Sequence, residues 1–143
     1  MMDLIVFNVG SSRYALNIEN IQRIIQIVEL TEIPSAHELI DGMISYENSV
    51  VKVLNFRKVI GLAPHEDENK KLEDSSLKLL FYENGAEHFA IKVDSIDDIV
   101  HVEDTQIMNS TEEKSISEYL KLSGVLDIDG VLINVIKTLK IPS

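Results

Sequence analysis

Cysteine and tryptophan are both missing from this chain. Without thiols, disulfides and thiolate-bound metals are excluded, and the protein suits a reducing compartment. No apolar run approaches the ~20 residues that a membrane-spanning helix needs. Met1-Met2-Asp3 leads straight into apolar residues with no basic stretch ahead of them, which argues against a secretory signal. A cytoplasmic location without membrane insertion is expected. Basic charge is scarce: 13 Lys and Arg face 24 Asp and Glu, a formal net charge of −11. Such a surface repels phosphate backbones and anionic lipid, which argues against nucleic acid as a partner.

Catalytic chemistry is also hard to find. Gly10, Gly61 and Gly85 each stand alone, so no phosphate-cradling glycine-rich loop exists. His37, His65, His88 and His101 have no second His or Cys at ligand spacing, and solvated or structural roles suit them better than metal binding. Asp127-Ile128-Asp129-Gly130 hints at a calcium loop, but Ile136 stands where the closing Glu belongs, and turn chemistry explains Asp-Gly better. No catalytic residue, no metal and no cofactor are expected. The acidic runs around Glu66-Asp67-Glu68, Asp94 to Asp98 and Glu103-Asp104 read as solvated faces or loops.

What the chain does have is enough apolar content for one ordinary domain, 45% over 143 residues. Leu4 to Phe7 and Tyr14 to Ile18 read as a hairpin around Gly10. Ile21, Ile24 and Ile25 fit a short helical turn, although Ile24 to Leu30 equally fits a third strand. After Pro34, Ser35 is placed to cap a one-turn helix over 36–40, ended by Gly42. Met43 to Tyr46 and Val50 to Leu54 form a second hairpin, and Phe56 to Gly61 a short helix. Residues 63–76 are a charged linker, after which Leu77 begins a new strand.

An internal repeat organises these elements. Shifted by 75 positions, Leu4 lies on Leu79, Gly10 on Gly85, Tyr14 on Phe89, Ile21 on Ile96 and Ile25 on Val100, without a gap. Gly42-Met43-Ile44 then lies on Gly124-Val125-Leu126, and Val50 to Leu54 echoes Val131 to Val135 with small gaps. Two copies of this length indicate a duplicated subdomain, not a solenoid. Five or so short strands per half suggest an all-β fold of two small barrels packed together. The half-repeats span roughly 1–62 and 77–141 of a single domain, 1–143, and the duplication allows strand exchange between them.

Gly42 to Arg57 resembles the signature of the CheW-like chemotaxis coupling family, in which Gly-Val-x-Asn-Leu-Arg-Gly leads into Val-x-Pro-Val-x-Asp-Leu-Arg. Phe7 to Ile25 with Leu30 to Pro34, Leu79 to Val102, and Tyr119 to Leu139 resemble the rest of that family's pattern, so the likeness covers essentially the whole chain. It implies two pseudo-repeated five-stranded SH3-like barrels with short connecting and C-terminal helices, and a single CheW-like domain. It also implies a non-enzymatic adaptor without cofactor. The implied partners are the regulatory domain of a CheA-type histidine kinase, the cytoplasmic tip of chemoreceptors, and ring contacts with CheW-like modules.

The departures from that pattern mark the candidate site. Glu47 stands where the family has arginine, Lys52 where it has proline, and Asn55 where it has aspartate. Arg23 falls where members often carry an acid. In the family these two charged positions belong to the receptor-binding region, so the resemblance implies Ile21, Arg23, Tyr46 and Glu47 as receptor-interface residues. With the charges exchanged, Arg23 and Glu47 are expected to pair with each other, and partner choice to change. A divergent paralogue serving a dedicated or non-chemotactic signalling complex is the alternative.

Overall fold

The computed structural model describes residues 1–108 and 114–142. Strands β1 (Met2–Val9) and β2 (Ser12–Asn17) form the opening hairpin. Leu4 and Val6 enter one apolar core, while Ile5, Phe7 and Val9 enter another. Burial on both faces is why this stretch is continuously apolar instead of alternating.

A 3-10 turn (Ile18–Asn20) follows, capped by the Asn17 side chain, which accepts the Glu19 amide at 2.9 Å. The helical turn expected at Ile21 to Ile25 is instead strand β3 (Ile21–Gln26). A spacing of four satisfies the strand period as well as the helix period. Ile21 and Ile25 are accordingly half-buried, with Ile24 exposed between them.

The helix expected over 36–40 does not form. Ser35 sits at φ +60°, not in the extended conformation a capping residue needs, and the Leu39 amide donates to His37 Nδ1 at 3.1 Å. Gly42 lies within β4 (Ile40–Tyr46), which pairs with β5 (Ser49–Asn55). Their two-residue turn, Glu47-Asn48, has φ of 47° and 65°, the type I′ geometry that matches strand twist. Helix α1 (Phe56–Val59) starts because Asn55 Oδ1 accepts the Lys58 amide at 3.2 Å.

The linker holds two further 3-10 turns, at Glu66–Asn69 and Leu72–Asp74. It is pinned by two charged groups. Lys92 reaches Asp41 and, at 3.0 Å, Glu68. The Asp67 carboxylate takes Lys70 at 2.8 Å and both the hydroxyl and amide of Ser76, and these contacts, Lys70 foremost, hold it well below the usual carboxylate range. A depressed folded-state value adds stability above the unfolded value of about 4, which is lost as pH falls toward the folded one. Asp67→Asn is therefore expected to be less stable than the parent at pH 7, with the gap closing as pH drops below about 4. Urea unfolding at pH 7, 4 and 3 checks this, and a pH-independent gap refutes it.

The second part of the chain supplies β6 (Lys78–Asn84), β7 (Glu87–Val93), β8 (Ser95–Val102), β9 (Ile107–Met108), β10 (Lys114–Ser115), β11 (Leu120–Ile128) and β12 (Val131–Leu139). The expected C-terminal helix is absent among the described residues, because β12 runs on to Leu139. Lys137 occupies the place that Asn55 holds in the first part, so the cap that starts α1 has no counterpart.

Two sheets result. One runs β10-β11-β12-β2-β1-β8, with β9 also on β11; the other runs β3-β6-β7-β5-β4. Each mixes strands from both parts of the chain, and the five main strands of one match the other position for position. Phe81 pairs with Ala90 as Val6 pairs with Ala15, Ile44 with Val51 as Leu126 with Ile133, and the parallel contact Val53–Ala90 repeats as Val135–Ala15. This register makes Val131 the counterpart of Ser49, not of Val50. The difference matters, since a slip of one residue exchanges the two faces of a strand. Each sheet encloses its own core, one around Leu4, Val6 and Leu126, the other around Leu79, Phe81 and Ile44. A larger core between the sheets gathers Phe7, Tyr14, Phe56, Tyr82 and Phe89. The fold is all-β, and no helix among the described residues is long and apolar enough to cross a membrane.

Candidate functional site

Curling of the second sheet builds the site. Laid flat, β3 and β4 would lie about 19 Å apart, four strand spacings. Instead, Arg23 Nη2 on β3 is 3.6 Å from Glu47 Oε1 at the β4–β5 turn. The guanidinium carbon also stands 5.0 Å from the Tyr46 ring centroid. Tyr46 in turn meets Phe81 edge-on, with centroids 4.9 Å apart and planes at 70°. Phe81 is buried inside the barrel, so the charged pair rests on an aromatic platform rooted in the core. Ser49 and His88 complete a cleft of about 270 Å³.

Arg23, Tyr46 and Glu47 thus converge. Ile21 does not join them: it lies opposite Tyr82 and packs on the core between the sheets. Reading the sequence missed Phe81 and His88 as parts of this cleft. They sit on β6 and β7, and only the strand order puts those strands beneath β3 and β4.

The Arg23 and Glu47 side chains are 51% and 71% exposed, so solvent screens their attraction. Arg23→Ala is expected to cost less than about 1 kcal/mol of stability, the ion pair and the ring contact together. Urea unfolding measures it, and a loss above about 2 kcal/mol would make the pair a structural element instead of a surface feature.

Several other polar residues make contacts within the fold. His65 Nδ1 accepts the Asp67 amide at 2.9 Å, His37 packs against Tyr119, and the Gly130 amide donates to Asp127 Oδ1 at 2.8 Å in a turn. No group of three His, Cys, Asp or Glu among the described residues is placed to hold a metal. A larger hollow, about 430 Å³, lies beneath the linker. Of the cations that line it, Lys92 is held by Asp41 and Glu68, and Lys70 by Asp67.

One more ion pair is buried. The Arg57 guanidinium meets the Asp94 carboxylate with both side chains largely enclosed. Asp94 Oδ2 also accepts the Gly10 amide at 2.7 Å, its own amide donates to Asn8 O at 3.1 Å, and Arg57 Nε donates to Ala63 O at 2.7 Å. The hairpin turn, the first turn of α1, the start of the linker and the β7–β8 corner are fastened at this point.

Paired curled sheets with a shared core and a charged, aromatic cleft at a sheet edge define a double-barrel, all-β domain. The model of the CheW-like domain matches residues 3–142, and the chain belongs to that family. The scaffolding protein TtCheW from Thermoanaerobacter tengcongensis has a similar fold, with a TM-score of 0.81 at 20% identity over 96% of this chain and 90% of that one. The chemotaxis protein CheW of Thermotoga maritima is 21% identical over 70 residues, 49% of this chain. That match spans less than half of the relative, 46% of its length.

Proposed function

We propose that this protein is a non-catalytic adaptor that couples the cytoplasmic tip of chemoreceptors to the regulatory domain of a CheA-type histidine kinase. The observation that carries the proposal is the CheW-like family match from end to end of the domain. The names of the two relatives, a chemotaxis protein and a scaffolding protein, point the same way. Ring contacts with other CheW-like modules and work in the cytoplasm belong to this role, and the charge of −11 speaks against nucleic acid or anionic membrane as the ligand.

The Arg23 cleft is the receptor side in this reading, with Arg23, Tyr46 and Glu47 at its rim and Ile21 supporting β3 from beneath. A pair of exposed opposite charges contributes more to partner selection than to folding. The exchange of charge at these two positions favours a second reading, a divergent paralogue dedicated to one receptor class or to a non-chemotactic complex.

Pull-downs of the full chain with the kinase regulatory domain and with receptor-tip fragments test both. The adaptor role is expected to show as retention of kinase and receptor. The doubly reversed variant, Arg23→Glu with Glu47→Arg, should keep kinase binding and change receptor preference. Kinase binding without any ordinary receptor favours the paralogue, and binding to neither overturns the coupling role.

A further inference from the structure

The Arg23 cleft exists twice. The other sheet carries a cleft of about 280 Å³ between β8 and the β11–β12 turn. It is the same place in the duplicated fold. Arg23 faces Phe81 across the β3–β6 pair, as Asp98 faces Val6 across the β8–β1 pair. Tyr46 pairs with Ser49 beside the turn, as Ile128 pairs with Val131. Glu47 opens one turn at positive φ, and Asp129 opens the other.

The chemistry has diverged at these matched positions. Where one rim carries Arg23 against Glu47, the other carries Asp98 and Asp129, two carboxylates. Tyr46 has become Ile128, and the hydroxyl of Ser49 has become the exposed side chain of Val131. Val6 and Ile133 form an apolar floor. The guanidinium in this cleft, on Arg13, is engaged by Asp97 at 3.2 Å. Asp98 Oδ1 accepts the neighbouring Ile99 amide, and among the described residues neither Asp98 nor Asp129 enters an ion pair. Three carboxylates thus face one guanidinium around an apolar cleft, where the Arg23 cleft is balanced.

The geometry points to the Asp98 cleft as a second docking surface, whose occupant is a short extended segment of a partner protein that sets an apolar residue beside Lys or Arg. The apolar residue fits over Val131, Ile128 and the Val6–Ile133 floor. The cation sits between the carboxylates of Asp98 and Asp129, which stand where Arg23 and Glu47 stand in the other cleft. Charge complementarity decides the occupant: a second copy of this chain, at −11, would bring acid against acid.

This inference deepens the adaptor proposal and rests on it for the need of a second partner. Its test is independent of that proposal. The full ¹⁵N-labelled chain is titrated with the synthetic pentapeptide Leu-Arg-Val-Lys-Leu and with its acidic counterpart Leu-Glu-Val-Glu-Leu. The basic peptide is expected to shift amides of 97–100 and 128–133 saturably, and the acidic one to shift none. Asp98→Asn with Asp129→Asn should weaken the basic peptide about tenfold. Glu66→Gln with Glu73→Gln on the linker should leave its affinity unchanged. Shifts scattered over the acidic surface, equal losses in the two double variants, shifts at the Arg23 cleft, or no saturable shift overturn the proposal. So does sedimentation showing that the cleft closes a dimer. A failed kinase or receptor pull-down beside a positive titration would remove the adaptor reading and leave the cleft standing.

Discussion

Arg57→Ala is expected to lower the unfolding free energy by about 3–5 kcal/mol, a large part of what a domain of this size possesses. The reason is the position of its partner. The Arg57 and Asp94 side chains are 15% and 11% exposed, so removing the guanidinium leaves a carboxylate enclosed without a counter-charge. Asp94 Oδ1 is buried with no hydrogen-bond partner even in the parent, so the site has no spare donor to compensate. The loss also frees Ala63 O and loosens the Gly10 turn held through Asp94. Urea unfolding should show a lower midpoint with an unchanged slope. The double variant Arg57→Ala with Asp94→Ala should recover part of the loss, since the stranded charge is then gone. A cost for Arg57→Ala no greater than that of the exposed Arg23→Ala would refute this account.

The ion pair also shows where sequence reading succeeds and where it stops. The 75-residue shift was legible because both copies place the same residue types on the same strands, with both faces of the inner strands buried: Leu4 on Leu79, Ala15 on Ala90. The hairpins were legible because their turns need residues that tolerate positive φ, as at Gly10, Gly85 and Asp129-Gly130. Strand exchange is a different matter. Sequence periodicity says which face of a strand is apolar, not which strand lies beside it, so the parallel pairing of β5 with β7 and of β12 with β2 had to come from the structure. The aromatic platform under Arg23 and the Arg57–Asp94 tie both depend on that order and were invisible for the same reason. The expected helices at 36–40 and at the C-terminus failed on single residues. Ser35 adopts a conformation that cannot cap, and Lys137 stands where Asn55 caps α1. The second cleft was present in the repeat all along, since the same shift lays Asp98 on Arg23 and Arg13 on His88. Only the three-dimensional cleft gives those coincidences a meaning.

Gly124→Ala is expected to be nearly as damaging, costing about 3 kcal/mol. Gly124 is where β11 and β9 cross closely: a Cβ there would lie 2.2 Å from Met108 O and 2.8 Å from Ile107 Cγ2. The nearest atom is backbone, so no side-chain rotation relieves the clash, and β9 must move off β11. Overpacking of this kind costs about 1–3 kcal/mol. Withdrawing Ile107, which is buried in the core around Leu4 and Leu126, adds about 2 kcal/mol if its side chain is released to water. Gly85→Ala and Gly130→Ala are the controls. Neither meets an atom within 4 Å, and each carries only the strain of a non-glycine residue at positive φ, about 1 kcal/mol. Urea unfolding ranks the three variants, and hydrogen exchange should show β9 and β11 losing protection together in Gly124→Ala. Equal losses in all three would mean that the crossing is slack. Gly42 meets Thr31 O at the matching place in the other sheet, where Thr31 and Met43 exchange two bonds of 2.8 Å. The same device therefore holds a crossing segment against both barrels. In the first barrel that segment braces the strand whose far end forms the Asp98 cleft, so Gly124→Ala should also weaken the basic peptide while leaving the Arg23 cleft intact.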